Sequence, residues 1–280
     1  MDPVAALLAE ARRIETPCGE GRMVWHAWGQ GAPMALFHGG VGSWRHWLRT
    51  IPAWKGSRHL LVPDLPGLGE SDLPPEPAAI ETVAAVVAEG LLSQLGPNEQ
   101  VDLVGFSFGS TVGAHVALII GDRARSLTLI GAGGLVPAKT PMILEKVRGK
   151  TGDELREAHR TNLGLMMIAD PAGIDDLALD LQDWNSRHSR LDTRAYVAAG
   201  ALRRALERLR VPVDAIWGER DQLAYWGLPE RVAALRALQP DARVTILPGV
   251  GHWIAYEDAT ALDTVLHDYL DNPRPLPGVA

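Results

Sequence analysis

Cysteine is almost missing from this chain: Cys18 is the single one in 280 residues. That excludes an intrachain disulfide, a cysteine-based zinc cluster and a CxxC redox pair, and it is compatible with a reducing compartment. There is no surplus of basic charge either. With 27 Lys and Arg against 34 Asp and Glu, the formal net charge is -7, which works against a nucleic-acid or anionic-membrane surface. The basic residues that do cluster, Arg203, Arg204, Arg208 and Arg210, alternate with Ala, Leu and Glu207 and read as a solvated helix face. No apolar run approaches the roughly 18 residues of a membrane span. The opening "MDPVAALLAEARRIE" places its arginines after the apolar stretch, the reverse of a secretory signal. The expectation is a cytoplasmic protein with neither nucleic-acid nor membrane partners. Internal repeats and low-complexity segments are also absent.

What is present is an alternation of short apolar runs with longer helical patterns. "RMVWHAWG" (22–29) and "APMALFH" (32–38) flank the Gly29, Gly31 turn and read as a hairpin. "HLLVPDL" (59–65), "VDLVGFS" (101–107), "SLTLIGA" (126–132), "VDAIWGE" (213–219) and "RVTILPG" (243–249) read as buried strands, with amphipathic helices between them. Strand alternating with helix predicts an α/β fold with a mostly parallel sheet, covered on both faces. Such sheets carry their functional groups at the carboxyl ends of the strands. From about Gly133 to Leu209 only helical patterns occur, among them "ILEKVRGK", "GDELREAHRTNLGLMMI", "IDDLALDLQDWNSRH" and "YVAAGALRRALERL". The chain therefore divides into a first core part (1–132), a helical cap (133–210) and a second core part (211–280). A cap of this kind lies over the strand ends, excludes water and shapes a pocket.

"GFSFGS" (105–110) follows a strand and opens a helix. Gly105 and Gly109 suit a turn too crowded for side chains, and that turn would project Ser107 toward a helix N-terminus that favours developing negative charge. A serine hydroxyl needs a base and a group that orients the base. Of nine histidines, His252 in "LPGVGHW" follows the last strand and would reach the same edge as Ser107. "IWGERDQL" supplies the acid: Asp221 is the first choice, Glu219 the alternative, and Asp214 sits at the wrong end of its strand. An oxyanion also requires two N–H donors. Phe108, directly after Ser107, provides one, and Gly40 in "FHGGVGSW" provides the other.

The motifs "HGGVGSWRHW" (38–47), "VPDLPGLGESD" (62–72), "GFSFGS" (105–110), "IWGERD" (216–221) and "LPGVGHW" (247–253) together resemble the α/β-hydrolase fold superfamily over nearly the whole chain. The resemblance implies a sheet of about eight strands with a helical cap inserted after the sixth. It assigns Ser107, His252 and Asp221 to a catalytic triad and Gly40 and Phe108 to an oxyanion hole, with no metal or organic cofactor. A serine at the elbow, rather than aspartate, sets the chain apart from haloalkane dehalogenases and epoxide hydrolases. "LIGAGGL" (129–135) and Trp253 look like the meta-cleavage product hydrolases, which break carbon–carbon bonds. Phe106 stands where that branch usually has asparagine, and "HGGVGSW" lacks its longer glycine-proline loop.

In the cap, "LQDWNSRHSRLDTR" offers Trp184, Arg187, Arg190 and Arg194; one arginine could clamp a substrate carboxylate, or all could pair with cap acids such as Asp183 and Asp192. Met166 and Met167 belong either to an adaptable pocket roof or to an apolar packing face. Trp184, Trp226 and Trp253 suit the walls of a pocket for an aromatic or apolar group. The leading expectation is a serine esterase or lactonase that takes a small-molecule ester through an acyl-enzyme. The alternatives are carbon–carbon hydrolysis of the meta-cleavage type, a low-turnover ligand receptor on the same scaffold, and acyl transfer. The oligomeric state, monomer or homodimer, is left open.

Overall fold

The computed structural model describes residues 2–137, 142–198, 200–224 and 227–274. Eight strands form one sheet: β1 (Arg12–Cys18), β2 (Gly21–Trp28), β3 (Ala32–Phe37), β4 (Arg58–Pro63), β5 (Val101–Phe106), β6 (Ala124–Ile130), β7 (Val213–Gly218) and β8 (Val244–Leu247). Their order is β1-β2-β4-β3-β5-β6-β7-β8, with β2 antiparallel to both neighbours and every other pairing parallel. Eleven α-helices are described: α1 (Pro3–Glu10), α2 (Ile51–Trp54), α3 (Ile80–Leu92), α4 (Phe108–Ile120), α5 (Gly152–Met166), α6 (Asp176–Arg187), α7 (Arg194–Ala198), α8 (Ala201–Leu206), α9 (Leu228–Leu238), α10 (Ile254–Glu257) and α11 (Ala259–Asp271).

Two sequence expectations change here. The 22–29 and 32–38 runs are consecutive strands but not a hairpin, because β4 lies between them and pairs with both. Gly29 and Gly31 (φ 70° and 117°) steer the chain past this intruding segment; a Cβ on Gly31 would come within 2.6 Å of Ser57 O. The N-terminal stretch also holds a strand, β1, whose exposed and half-buried residues carry little apolar signal. In the cap, the helix read over "ILEKVRGK" does not form, and "YVAAGALRRALERL" breaks into α7 and α8.

The central strands are buried along their whole length, as parallel strands between two helical layers must be. Alternate residues enter opposite cores. Leu103 of β5, Leu129 of β6 and Ala215 of β7 pack with α3, α4 and α8, whereas Val104, Phe106, Ile130 and Ile216 pack with Trp47, α10 and α11. Burying each such Val, Leu, Ile or Phe contributes about 1.5–3 kcal/mol, so the sheet is the rigid frame from which the loops project.

The helical segment between β6 and β7 shares both cores. Leu163, Met167, Ile168, Leu179 and Leu181 join one, and Ala201, Leu202, Ala205 and Leu206 join the other. Met167 is thus a packing residue. Among the described residues no helix is long and apolar enough to cross a membrane.

Candidate active site

The carboxyl ends of β5, β7 and β8 converge at one edge of the sheet. Ser107 follows β5 with φ 52° and ψ -114°, a backbone conformation that non-glycine residues rarely adopt. Its neighbours enforce that turn. A Cβ on Gly109 would lie 2.6 Å from His38 O, and one on Gly105 would lie 2.6 Å from the Gly109 carbonyl carbon. Strand and helix therefore cross closer than any side chain permits. Ser107 N–H donates to Ile130 O at 2.8 Å, tying the turn to β6, and Ser107 itself is half-buried. Held strain of this kind is typical of functional turns.

His252 and Asp221 meet at the same edge. His252 Nδ1 lies 2.7 Å from Asp221 Oδ2, and both residues are buried. The contact holds the imidazole with its proton on Nδ1 and leaves Nε2 as the basic nitrogen. Asp221 Oδ1 accepts from Leu223 N–H at 2.9 Å. The other candidate acids point elsewhere. Glu219 accepts from Gly249 N–H at 2.8 Å, and Asp214 is bound by Arg243 and Arg274 at the far end of β7.

Several further residues complete this frame, of which Gly131, Glu257 and Arg231 carry no conspicuous sequence signal. A Cβ on Gly131 (φ 57°) would come within 3.0 Å of His252 Cε1 and Nδ1, so this glycine leaves the space that the imidazole occupies. Phe106 packs its ring 4.9 Å from that of His252 and forms an apolar wall. Glu257 accepts from Gly251, Ala169 and Asp170 N–H groups, joining the His252 loop to the end of α5. Trp253 N–H donates to Met167 O at 2.7 Å, a second tie between the same segments. Arg231 donates to Ala132 O at 3.1 Å and to Leu223 O, bracing the Asp221 loop.

The loop after β3 carries Gly40. His38 donates from Nδ1 to Gly39 O at 2.8 Å and accepts Leu65 N–H at Nε2, 2.9 Å away. Gly39 N–H donates to His46 Nδ1 at 3.2 Å. Both histidines therefore hold the loop as neutral rings. Burial pushes His38 down to about 4 and keeps His46 well below the usual imidazole range. Phe108, the first residue of α4, is buried and stacks on Tyr196 of α7 at 5.7 Å between ring centres.

The cap side chains expected at a pocket are engaged in other contacts. Arg187 pairs with Asp183 at 2.9 Å and is largely exposed. Arg190 donates to the carbonyls of Ser71 and Gly69, clamping the cap to the loop after β4. Arg194 pairs with Asp192. The Arg187 and Arg190 guanidinium groups, expected at the substrate, both hold acceptors within the protein. Trp184 stacks on His188 at 3.9 Å and carries the Arg45 guanidinium 3.3 Å from its ring centre. Trp253 is fully buried, donating from Nε1 to His46 O at 3.0 Å. Trp226 lies outside the described residues. Among the described residues no group of three His, Cys, Asp or Glu side chains is placed to hold a metal ion.

The chain has relatives among proteins of known activity. It is 28% identical over 242 residues to the dihydrolipoyllysine-residue acetyltransferase component of the acetoin cleaving system of Pseudomonas putida, covering 86% of this chain but only 64% of that protein. It is 27% identical over 266 residues to the 2-hydroxy-6-oxo-6-phenylhexa-2,4-dienoate hydrolase of Burkholderia cepacia, covering 87% of this chain and 89% of the relative. A meta-cleavage product hydrolase from Pseudomonas fluorescens superposes with a TM-score of 0.74 at 21% identity, over 94% of this chain and 99% of that one, a likeness of fold. The family model for the alpha/beta hydrolase fold matches residues 32–259, and with the strand order and the Ser107 turn already described, the chain belongs to that family.

Proposed function

We propose that this protein hydrolyses a carbon–carbon bond next to a ketone in a conjugated dienoate, a reaction of the meta-cleavage type, with Ser107 as nucleophile, His252 as base and Asp221 as its orienting acid. The observation that carries the catalytic part is the 2.7 Å contact between His252 and Asp221 at the strand edge that bears the strained Ser107. Support for the bond type comes from relatives: dienoate hydrolases from Burkholderia cepacia and Comamonas testosteroni are 27% and 26% identical over 87% of the chain.

Attack of Ser107 Oγ on the ketone carbon passes the hydroxyl proton to His252 Nε2 and moves the carbonyl electron pair onto oxygen. The N–H groups of Gly40 and Phe108 stabilise that oxyanion. Collapse breaks the carbon–carbon bond in the 2-keto tautomer of the substrate, formed when the 2-hydroxyl proton moves to the carbon beside the ketone; that carbon then leaves as a conjugated enolate and takes its proton from His252. Water deprotonated by His252 then releases the acid from Ser107. His252 alternates between base and acid because Asp221 stabilises its charged form.

A second reading, hydrolysis of an ester by the same steps, is favoured by one observation. Arg187, Arg190 and Arg194, the arginines of the segment expected to meet a substrate carboxylate, are each engaged by other partners.

The test mixes the purified protein with 2-hydroxy-6-oxo-6-phenylhexa-2,4-dienoate and, separately, with p-nitrophenyl esters from acetyl to decanoyl. Loss of the visible dienoate absorbance that disappears in folded Ser107→Ala supports the first reading. Ester turnover with an inert dienoate replaces it with the second. Parent-level activity in Ser107→Ala would end both.

A further inference from the structure

The cap presses one polar side chain onto the loop that carries Gly40. Thr193 lies between α6 and α7 and is only 6% exposed. A Cβ on Gly40 would collide with Thr193 Oγ1 and approach its Cβ to 3.3 Å, so the hydroxyl rests against the Gly40 backbone. Among the described residues that hydroxyl forms no hydrogen bond, whereas Ser43, Ser71 and Ser110 nearby each make one at 2.7 Å or less. With no protein acceptor, the hydroxyl is available to an acceptor that a ligand brings.

The segment that presents Thr193 is fastened along its length. Ser43 Oγ donates to the fully buried Asn185 at 2.7 Å, joining the end of α6 directly to the loop after β3. Ser189 bridges to Leu68, Arg190 N–H donates to Gly67 O at 2.9 Å, and the Arg190 guanidinium reaches Ser71 O. On the far side, Arg194 N–H donates to Asp192 Oδ1 at 3.1 Å. These contacts hold the Thr193 hydroxyl in one place rather than leaving it on a swinging arm.

We propose that Thr193 is a further catalytic residue, its hydroxyl donating to the oxyanion alongside the N–H groups of Gly40 and Phe108. The inference rests on the serine-hydrolase reading above. When the Ser107 Oγ–carbon bond forms and the carbonyl pair moves onto oxygen, Thr193 adds a hydrogen bond to that oxygen and keeps its own proton. The hole is then built from core and cap together and is complete only when the cap is seated.

The experiment uses the full chain and diethyl p-nitrophenyl phosphate. Ser107 Oγ bonds to phosphorus, p-nitrophenolate leaves, the serine proton passes to His252, and the phosphoryl oxygen occupies the hole. The nitrophenolate burst and the intact mass report the labelling rate. Thr193→Val, which keeps the side-chain shape, is expected to slow labelling about 10- to 100-fold, while Thr193→Ser stays within about threefold of the parent. A role in packing alone would move the melting temperature and leave the serine and valine variants labelled at similar rates. Labelling of Thr193→Val at the parent rate overturns the proposal; if that variant does not fold, Thr193→Ala is read in its place by the same criterion. A parent that is not labelled at Ser107 overturns the serine-hydrolase reading and this proposal with it.

Discussion

Gly131 lies beneath His252: a side chain at this position, where φ is 57°, would come within 3.0 Å of the imidazole Cε1 and Nδ1. β6 therefore contributes to the site by leaving a space rather than by supplying a group. Gly131→Ala should displace the ring from Asp221 and strain the backbone by about 1–2 kcal/mol. The expected result is a fall in kcat of at least about tenfold with a small drop in melting temperature. Steady-state rates and thermal unfolding of the same preparation check it.

Asp221 and Glu219 make opposite predictions. Asp221→Asn keeps the shape but presents the wrong hydrogen-bonding group to His252, and kcat should fall by about 10³- to 10⁴-fold. Among the described residues the Glu219 carboxylate bonds only Gly249 N–H in the outer loop, and the kcat of Glu219→Gln should stay within a few-fold of the parent. Equal losses in the two variants would mean that Asp221 does not orient the base.

Glu257 satisfies three backbone N–H groups, two from the end of the cap helix α5 and its following turn and one beside His252. Glu257→Ala leaves all three without their carboxylate, and a loss of about 1–3 kcal/mol is expected. Urea unfolding gives that number. Hydrogen exchange should locate the loosening in residues 167–170 and 250–253.

Acid sensitivity follows from the buried imidazoles. Burial pushes His26 and His38 down to about 4, and it holds His46 well below the usual imidazole range with help from His38 and His252. In the unfolded chain each binds a proton near pH 6.5. Between about pH 6.5 and 4 the unfolded chain therefore binds more protons than the folded one, and stability falls as pH falls. Asp64 and Asp263, which burial raises to about 6, act with the opposite sign over that window. The comparison of parent with His38→Asn isolates one imidazole. The variant should lose less stability on acidification, by up to about 3 kcal/mol near pH 4, read from urea midpoints at neutral and acid pH. Identical pH dependence in the two proteins would mean that His38 is not held neutral by its burial.

The positions of Ser107, Asp221 and His252 after their strands were legible because each rests on a local pattern: an apolar run, a turn residue, then the polar side chain. The choice between Asp221 and Glu219 was legible only as a preference, since two residues in one loop differ by direction, which the β7–β8 contact decides. Gly218 permits that contact; a Cβ there would meet the Val250 carbonyl carbon at 2.8 Å. The hairpin expected over 22–38 failed because a short glycine turn marks a reversal of the chain without saying which strand pairs with which. The cap arginines illustrate the same limit: Arg190 has the charge to clamp a carboxylate, but its nearest acceptors are carbonyls of the loop after β4, more than a hundred residues earlier.

By itself, the sequence determined an α/β sheet with a helical insertion and the chain order of serine, acid and histidine, because these depend on periodicity and on turn residues that act over a few positions. The tertiary structure alone decided that β4 separates β2 from β3, that Gly131 makes room for His252, that Glu257 binds cap to loop, and that Thr193 lands on Gly40. Each of those is a contact between segments far apart in the chain. Their partners are chosen by close packing around one sheet, where a single side chain more or less determines what can approach.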